Sequence, residues 1–412
     1  MNAPATPDSV RAAAPAAAAP AAAAANLAAW DLIHKLVSFD TTSRESNLAL
    51  IDWVRGYLSA HGVASKLTFD DDQRKANLFA TLPAQDGNAT VNGIVLSGHT
   101  DVVPVDGQPW ETNPFDATIK GDRAYGRGVT DMKSFCATAL AFVPEFLRRG
   151  LARPVHIALS YDEEVGCIGV RRLIDDIARR NVKPAGCIVG EPTGMRLAVA
   201  HKGKKSWRCR IRGHEAHSSL TPLGVNAVQI ACEIVTYLTN MARAFRDQGT
   251  FDADYDVPYT TVHTGIIRGG TAVNIVPRDC WFDFEVHHLP FDDPDALFAE
   301  VEAYAQRFLP AMHAVSPDTF IEFDQMSALP GFDTRGDSEI AAIGKQCNGT
   351  HEHGKVSFGT EAALFHGAAI PTIICGPGHI AQAHQPNEWV TLDQLAQCEA
   401  FMRRLGDRVC AA

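Results

Sequence analysis

The chain has 412 residues, of which 46% are hydrophobic and 21% are charged, and its formal net charge is −11. This length accommodates two domains with sizeable cores, and the composition is that of an ordinary globular protein. The negative charge argues against a nucleic-acid-binding protein, which would usually carry a basic face.

The amino-terminal segment, residues 1–26, is rich in alanine and proline, which predicts a disordered tail. It lacks the apolar stretch of a secretory signal, and the chain has no apolar run of about 18 residues that would predict a membrane span. The ten cysteines are scattered and form no C-x-x-C pair, which argues against a cysteine-ligated zinc site. We therefore predict a cytoplasmic protein that binds neither membranes nor nucleic acids.

Helical periodicity begins near Leu27, and a second amphipathic helix is predicted over about residues 46–61. Four continuous apolar runs then predict strands buried on both faces, as in a layered α/β sheet. These runs begin at Gly93, Val155, Gly186 and Pro371. Helical patterns lie between them, at about residues 134–149 and 170–180.

The middle of the chain has a different pattern. Apolar residues from Trp207 to Ile211 alternate with charged ones, which predicts a half-exposed strand. A helix, two strands, a second helix and a last strand are predicted after it, at about residues 225–238, 259–267, 279–287, 294–308 and 320–323. The order βαββαβ is typical of a ferredoxin-like domain. We therefore predict an α/β catalytic domain, residues 27–201 and 326–412, interrupted by a ferredoxin-like insert, residues 202–325.

Histidine and acidic side chains follow the ends of the predicted buried strands. His99 ends the first run, Glu163 and Glu164 follow the second, Glu191 follows the third, and His384 follows the last after a short loop. Functional groups of open α/β sheets gather at the carboxyl ends of the strands, so we expect these side chains to converge. Two imidazoles and several carboxylates are the ligands of a catalytic zinc site.

Each of these residues also has a purely structural interpretation. The two histidines would then be ordinary loop residues, and Glu191, which precedes a proline, would belong to a turn. Asp131 precedes a helical pattern and would be its N-cap. The Glu163–Glu164 pair would be surface acids. If its backbone is extended, however, the two side chains point to opposite faces, so that one can bind a metal while the other faces the substrate.

Nine short stretches resemble the M20 family of metallopeptidases and deacylases, in particular its members that deacetylate N-acetylornithine. They occur in the family's order and span nearly the whole chain outside the tail. The stretches are Ser97–Pro104, Tyr125–Lys133, Asp162–Glu164, Gly190–Thr193, His201–Gly203, His217–Ser219, Gly224–Ala227, Gly376–Gly378 and Ala383–Glu388.

The resemblance implies a dinuclear zinc site for which Co²⁺ can substitute. It assigns His99 and Glu191 to one Zn²⁺, Glu164 and His384 to the other, and Asp131 to a bridging position between them. Two metal ions would clamp the attacking oxygen and the developing oxyanion.

The resemblance also implies three catalytic residues. Glu163 is the expected general base, and Asp101 is expected to orient His99. His217 lies in the insert and would by itself be a loop histidine. In the family, the matching histidine reaches the active site of a partner subunit and stabilises the oxyanion, which implies a homodimer joined through the insert, a lid and dimerisation domain.

The implied substrate is a small N-acyl amino acid, with N-acetylornithine favoured by the stretch Phe358–Ala362. The reaction would yield ornithine and acetate, as in arginine biosynthesis. Substrate contacts are expected from Asn274, Thr360, Glu361, Gly376 and Gly378.

Other activities remain open. One departure from the family pattern is His287-His288-Leu289-Pro290, where an Arg-Pro-Leu-Pro stretch is usual. If that arginine helps to bind a substrate carboxylate, its loss weakens the assignment to N-acetylornithine. Succinyl-diaminopimelate desuccinylase, aminoacylase and dipeptidase activities share the same metal site. A non-catalytic metal-binding or scaffold protein would lack a ligand or the base, and this chain has them all.

Overall fold

The computed structural model describes residues 27–410, so the predicted tail at residues 1–26 lies outside the described residues. Within this part of the chain, no helix combines the length and the apolar character needed to cross a lipid bilayer. All ten cysteines are unpaired thiols.

A nine-stranded mixed sheet forms the centre of the larger, α/β part of the structure. Its strands are β1 (Ser65–Phe69), β2 (Ala76–Leu82), β3 (Ile94–His99), β6 (Val155–Ser160), β7 (Gly186–Pro192), β8 (Ala198–His201), β13 (Phe332–Asp333), β14 (Gly354–Val356) and β15 (Thr372–Gly376). The order is β1-β2-β6-β3-β7-β15-β8-β13, with β14 beside β8. The central strands β6, β3, β7 and β15 are parallel, so their carboxyl ends meet at one edge.

Helices cover both faces of this sheet. They are α1 (Trp30–Val37), α2 (Leu48–Ala60), α3 (Lys133–Ala141), α4 (Val143–Arg149), α5 (Ile168–Arg179), α9 (Glu339–Asn348), α10 (Ala362–Gly367) and α11 (Leu392–Val409). Leu96 packs into one hydrophobic cluster and its neighbour Val95 into another, because successive side chains of a strand point to opposite faces. A small sheet of β4 (Thr118–Lys120), β5 (Arg123–Tyr125) and β16 (Trp389–Thr391) lies beside the main one.

One continuous helix was predicted over residues 134–149, and this prediction is wrong. Two helices, α3 and α4, meet at Phe142. Pro144 stands in the first turn of α4, where its missing N–H leaves no helical hydrogen bond unmade. The hydrophobic periodicity continues across this break, which is why the pattern alone gave one helix.

The middle of the chain forms a separate four-stranded antiparallel sheet. Its elements are β9 (Gly203–Arg212), α6 (Ala227–Gln248), β10 (Thr261–Gly269), β11 (Asp279–His288), α7 (Pro294–Gln306), α8 (Leu309–Val315) and β12 (Phe320–Leu329), with a 3₁₀ turn at Ser218–Leu223. The strand order is β10-β11-β9-β12. The Asn226 side chain accepts a hydrogen bond from the Gln229 N–H and so caps α6.

The predicted fold class is confirmed, since an α/β domain is interrupted by a βαββαβ segment. Side chains from this sheet and its helices, among them Trp207, Leu238 and Phe282, form a hydrophobic cluster of their own. The strands of the insert run from Gly203 to Leu329, a few residues beyond the predicted end at 325. Where the domains divide stays a prediction.

Candidate metal centre

The predicted ligands come from four neighbouring strand ends. His99 is the last residue of β3, and Glu191 lies near the end of β7, which pairs with β3. Glu164 belongs to the turn after β6, and His384 to the loop after β15. Asp131 lies just before α3. The parallel centre of the sheet therefore brings these residues to a common edge.

Two groups of possible ligands share Asp131. In the first, His99 Nε2 lies 2.9 Å from Asp131 Oδ1 and 3.7 Å from Glu191 Oε1. In the second, His384 Nε2 lies 3.2 Å from Asp131 Oδ2 and 3.0 Å from Glu164 Oε2. The ligand atoms within each group lie within 4.8 Å of one another. The structure thus brings together all five residues that the sequence pointed to, one oxygen of Asp131 facing each group.

Burial makes this concentration of acids costly unless a cation is present. His99, Asp131 and Glu191 are buried, and His384 is half-exposed. Glu191 Oε1 has no hydrogen-bond partner among residues 27–410. Buried carboxylates are normally paired or coordinate metals, so the residues present fit a pair of divalent cations.

Burial and neighbouring negative charges also shift the pKa values of the glutamates. Burial raises the pKa of Glu163 to about 8, and His99 opposes this while Glu164 and Asp131 add to it. Burial raises the pKa of Glu164 to about 7 and that of Glu191 well above its usual value, with Asp131 contributing to both. Each carboxylate is thus destabilised by desolvation and by its negative neighbours, a combination that a bound cation relieves.

At the two imidazoles, the negative neighbours stabilise the charged form instead of destabilising it. Burial lowers the pKa of His99, but Asp131 and the nearby glutamates overcome this and raise it well above its usual value. Hydrogen bonds to Asp131 and Glu164 raise the pKa of His384 to about 10. The carboxylates therefore favour positive charge at both imidazole positions.

Asp101 acts differently from the prediction. His99 is oriented by the backbone carbonyl of Asp101, which accepts the Nδ1–H at 2.9 Å, whereas the carboxylate lies 3.7 Å away. Since a carbonyl oxygen can only accept, Nε2 is left to face the ligand group. The Asp101 carboxylate instead accepts the backbone N–H groups of Glu163 and Glu164 and the Ser43 hydroxyl. It fixes the turn that carries Glu163 and Glu164.

The Glu163–Glu164 pair does not lie on extended backbone. Strand β6 ends at Ser160, and the pair belongs to a turn in which Asp162 has φ of 55°. The two side chains still diverge, because Glu164 meets His384 while Glu163 Oε1 accepts a weak hydrogen bond from Cys167 Sγ at 3.3 Å. The expected extended backbone was therefore wrong, and the division of roles between the two glutamates stays a prediction.

A buried ion pair holds the loop before Asp131 in place and was missed from the sequence. Arg127 donates to Glu388 Oε2 at 2.7 Å, and both side chains are only 1% exposed. Glu388 Oε1 accepts the backbone N–H groups of Gly128, Thr130 and Asp131. Glu388 lies in the family stretch Ala383–Glu388, so its presence was visible, but its partners depend on the tertiary fold.

The predicted substrate contacts of Thr360 and Glu361 are wrong in this structure. Both residues are completely buried. The backbone N–H of Thr360 donates to His201 Nε2 at 3.1 Å, and Glu361 accepts hydrogen bonds from two serines inside the sheet. A family motif marks them as important, but burial, which depends on the fold, excludes direct contact with a substrate here.

Gly376 and Gly378 are also buried, and close packing explains both glycines. A Cβ at Gly376 would stand 1.9 Å from the Gly190 carbonyl oxygen. Gly378 has φ of 87°, and a Cβ there would stand 2.6 Å from Thr130, next to Asp131. Both glycines therefore allow close packing beside Asp131, and their contact with a substrate stays a prediction.

His217 and Asn274 lie in the insert and belong to neither ligand group. Both are exposed and adjacent, since the Ser218 N–H donates to the Asn274 carbonyl at 3.0 Å. His217 Nδ1 lies 3.2 Å from the Ser219 N–H, which it accepts. His287, at the departure from the family pattern, lies 3.2 Å from the Glu285 carboxylate.

Comparisons with known proteins agree with this geometry. The sequence model of peptidase family M20/M25/M40 matches residues 95–408. An acetylornithine deacetylase of Pasteurella multocida (strain Pm70) is 30% identical over 388 residues, 90% of this chain and 94% of the relative. Another, of Myxococcus xanthus, is 32% identical over 384 residues, 91% of this chain and 96% of the relative.

Solved structures show the same fold. An M20 family metallo-carboxypeptidase from Sulfolobus solfataricus is similar with a TM-score of 0.72 and 17% identity, covering 92% of this chain and 98% of that one. A dinuclear metal binding peptidase of the M20 family from Bacillus subtilis has a TM-score of 0.65 and 14% identity, covering 92% and 97%.

Proposed function

Because this chain belongs to peptidase family M20/M25/M40, we propose that it is a zinc-dependent amidohydrolase that removes the acetyl group from an N-acyl amino acid, with N-acetylornithine as its substrate. The predicted family is confirmed, and with it the assignment to the hydrolases. The observation that carries the proposal is the pair of ligand groups joined by Asp131. It gives the arrangement that two catalytic cations require.

His99, Glu191 and Asp131 would hold one cation, and Asp131, Glu164 and His384 the other. When bound, two zinc ions would polarise the amide carbonyl and lower the pKa of water towards roughly 7. Protein purified without chelators should contain two zinc ions per chain. Dialysis against a chelator should abolish hydrolysis, and Zn²⁺ or Co²⁺ should restore it. Full turnover by metal-free protein would refute the proposal.

Glu163 would move the proton. Its carboxylate accepts a proton from the attacking water while the water oxygen bonds to the amide carbon, and it donates that proton to the nitrogen as the carbon–nitrogen bond breaks. Burial raises its pKa to about 8 when no cation is bound, and cations held by the neighbouring ligands would lower it, so that the ionised carboxylate can accept the proton. The weak Cys167 contact keeps one oxygen in place beside the Asp101-fixed turn.

The substrate assignment is supported by the relatives described as acetylornithine deacetylase. A panel of N-acetyl-, N-succinyl- and N-formyl-amino acids, with dipeptides added, would test it. N-acetylornithine should give the highest kcat/KM. A clear preference for N-succinyl-diaminopimelate or for dipeptides would move the protein to another branch of the family without changing the metal chemistry.

The proposed assembly is a homodimer joined through the insert. Large apolar side chains are exposed on β10 and around the His217 loop, which is the kind of patch that marks a protein interface. They are Leu220, Leu223, Ile266, Ile267, Val273 and Ile275. Sedimentation of the purified protein should give a dimer, and Ile267→Lys should shift it towards monomer. The cytoplasmic location stays a prediction.

His217 would act in the partner's active site. The Ser219 N–H donates to Nδ1, so the ring proton lies on Nε2, which makes Nε2 a hydrogen-bond donor for an oxyanion. His217→Ala and Glu163→Ala proteins should each be nearly inactive. Equal mixing with subunit exchange should restore about one quarter of the wild-type activity, because half the dimers are mixed and each has one intact site. No recovery after proven exchange would exclude action across the interface.

A further inference from the structure

A fully buried carboxyl group lies beneath the ligand groups. Glu361 directly precedes α10 and is 0% exposed. Its Oε1 accepts a hydrogen bond from Ser97 Oγ at 2.6 Å, and its Oε2 accepts one from Ser160 Oγ at 2.7 Å. The two serines belong to β3 and β6, the adjacent strands whose ends carry His99 and the Glu163–Glu164 turn.

Strand register places Glu361 on the same face of the sheet as His99. Ser97 precedes His99 by two residues, so both side chains point to one face. Ser160 stands directly opposite His99 in the pairing of β3 with β6, and residues opposite each other share a face. The carboxyl group of Glu361 therefore lies one layer below the ligand groups, out of reach of any substrate.

When ionised, Glu361 carries a charge that its immediate partners do not neutralise. Two serine hydroxyls donate to it, and within residues 27–410 no Lys, Arg or His nitrogen lies within 4.0 Å. Burial raises its pKa, while the two hydrogen bonds and the charge of His99 oppose this. Isolated buried charges are costly unless an opposite charge compensates them.

We propose that Glu361 is a positioning residue for the metal centre, which adds a buried negative charge beneath the two cations and ties the ends of β3 and β6 together through Ser97 and Ser160. The inference rests on the proposed function only in requiring bound divalent cations. Bound cations supply the positive charge that Glu361 lacks, and Glu361 strengthens their binding in return. It touches neither substrate nor a ligand atom.

Glu361→Gln tests the charge while keeping the shape. Binding of Zn²⁺ to chelator-treated protein should be measured by competition with a chromophoric chelator, and unfolding of the metal-free protein by circular dichroism. We expect Zn²⁺ affinity to fall by roughly tenfold or more, the range for residues that support metal ligands. Metal-free Glu361→Gln should be at least as stable as metal-free wild type, because it loses an uncompensated buried charge. If Glu361 only stabilised the fold, Glu361→Gln would bind Zn²⁺ as tightly as wild type, and its metal-free form would be less stable than metal-free wild type.

Two further variants complete the experiment. Glu361→Asp keeps the charge and should bind Zn²⁺ more tightly than Glu361→Gln. Glu399→Gln is a matched control, since Glu399 is also buried but bonds Arg403 and the backbone of Ala29 instead, and its Zn²⁺ affinity should equal that of wild type. Wild-type affinity in Glu361→Gln, or equal losses in the Asp and Gln variants, would overturn the proposal. Failure of wild type to bind Zn²⁺ would instead refute the proposed function.

Discussion

Glu388→Gln removes one charge from the buried pair that holds the Asp131 loop. The substitution keeps the Oε1 position that accepts three backbone N–H groups. At the other position, an amide NH₂ replaces the oxygen that Arg127 approaches to 2.7 Å. Two donors then face each other, and the guanidinium is left buried without its carboxylate.

The burial of the Arg127–Glu388 pair indicates how much stability Glu388→Gln should lose. Burial raises the pKa of Glu388, and Arg127 opposes this. The carboxylate meets four donors, so we take it as ionised. With both side chains 1% exposed, solvent screens the pair little. Breaking such a pair costs about 3–5 kcal/mol of the free energy of unfolding. Because Asp131 belongs to both ligand groups, its displacement should also lower the occupancy of both cations.

Urea denaturation of the metal-free protein would measure the loss of stability, and metal analysis the occupancy. Arg127→Met combined with Glu388→Gln should recover part of the stability, because no buried charge is then left unpaired. Asp337→Asn is the matched control, since Asp337 meets Arg335 at the same 2.7 Å but is exposed, and it should not change stability measurably. A Glu388→Gln protein within about 1 kcal/mol of wild type would refute the reasoning.

Four further substitutions, one of them with a matched control, test other parts of the structure. Glu163→Ala should keep both metals and lose activity by roughly 10²-fold or more, whereas Glu164→Ala should lower metal occupancy; the opposite pattern in metal analysis would exchange their roles. Burial lowers the pKa of His156 to about 4, so its contribution to stability should be complete above about pH 6.5 and fall by about 3 kcal/mol towards pH 4. His156→Phe should reduce that slope in chemical denaturation, and an unchanged slope would contradict the assignment. Gly376→Ala forces a Cβ to 1.9 Å from a carbonyl oxygen of β7 and should cost about 1–3 kcal/mol or more, whereas Gly367→Ala, with open space around it, should be tolerated in the same assay.

The convergence of the candidate ligands could be predicted from the sequence because most of them follow apolar runs, whereas the bridging position of Asp131 was implied only by the family resemblance. His99 and Glu191 end apolar runs, and such runs are the clearest pattern of a buried parallel strand. Parallel strands then bring their carboxyl ends to one edge without any further information. The βαββαβ order of the insert was predictable for a similar reason, because its strands alternate apolar and charged residues.

The supporting residues could not be predicted, because their roles depend on contacts between distant parts of the chain. Glu388 meets Arg127 across 261 positions, and Glu361 meets Ser97 across 264. No periodicity encodes such contacts. Asp101 shows a further limit, since its backbone carbonyl orients His99, and a backbone group leaves no trace in residue identity.

The chemistry of the centre also explains why the oxyanion donor is expected from the insert. His99 donates its Nδ1–H to the Asp101 carbonyl, and His384 Nε2 faces Asp131 and Glu164. In the proposed function, these groups would hold the cations and one another in place. A tetrahedral intermediate needs a preorganised donor aimed at its developing charge. In the proposed function, His217, whose Nδ1 accepts the Ser219 N–H, would offer that donor from the insert. If His217 is this donor, hydrolysis should depend on where the insert lies, because water and substrate would be activated together only in the proposed dimer.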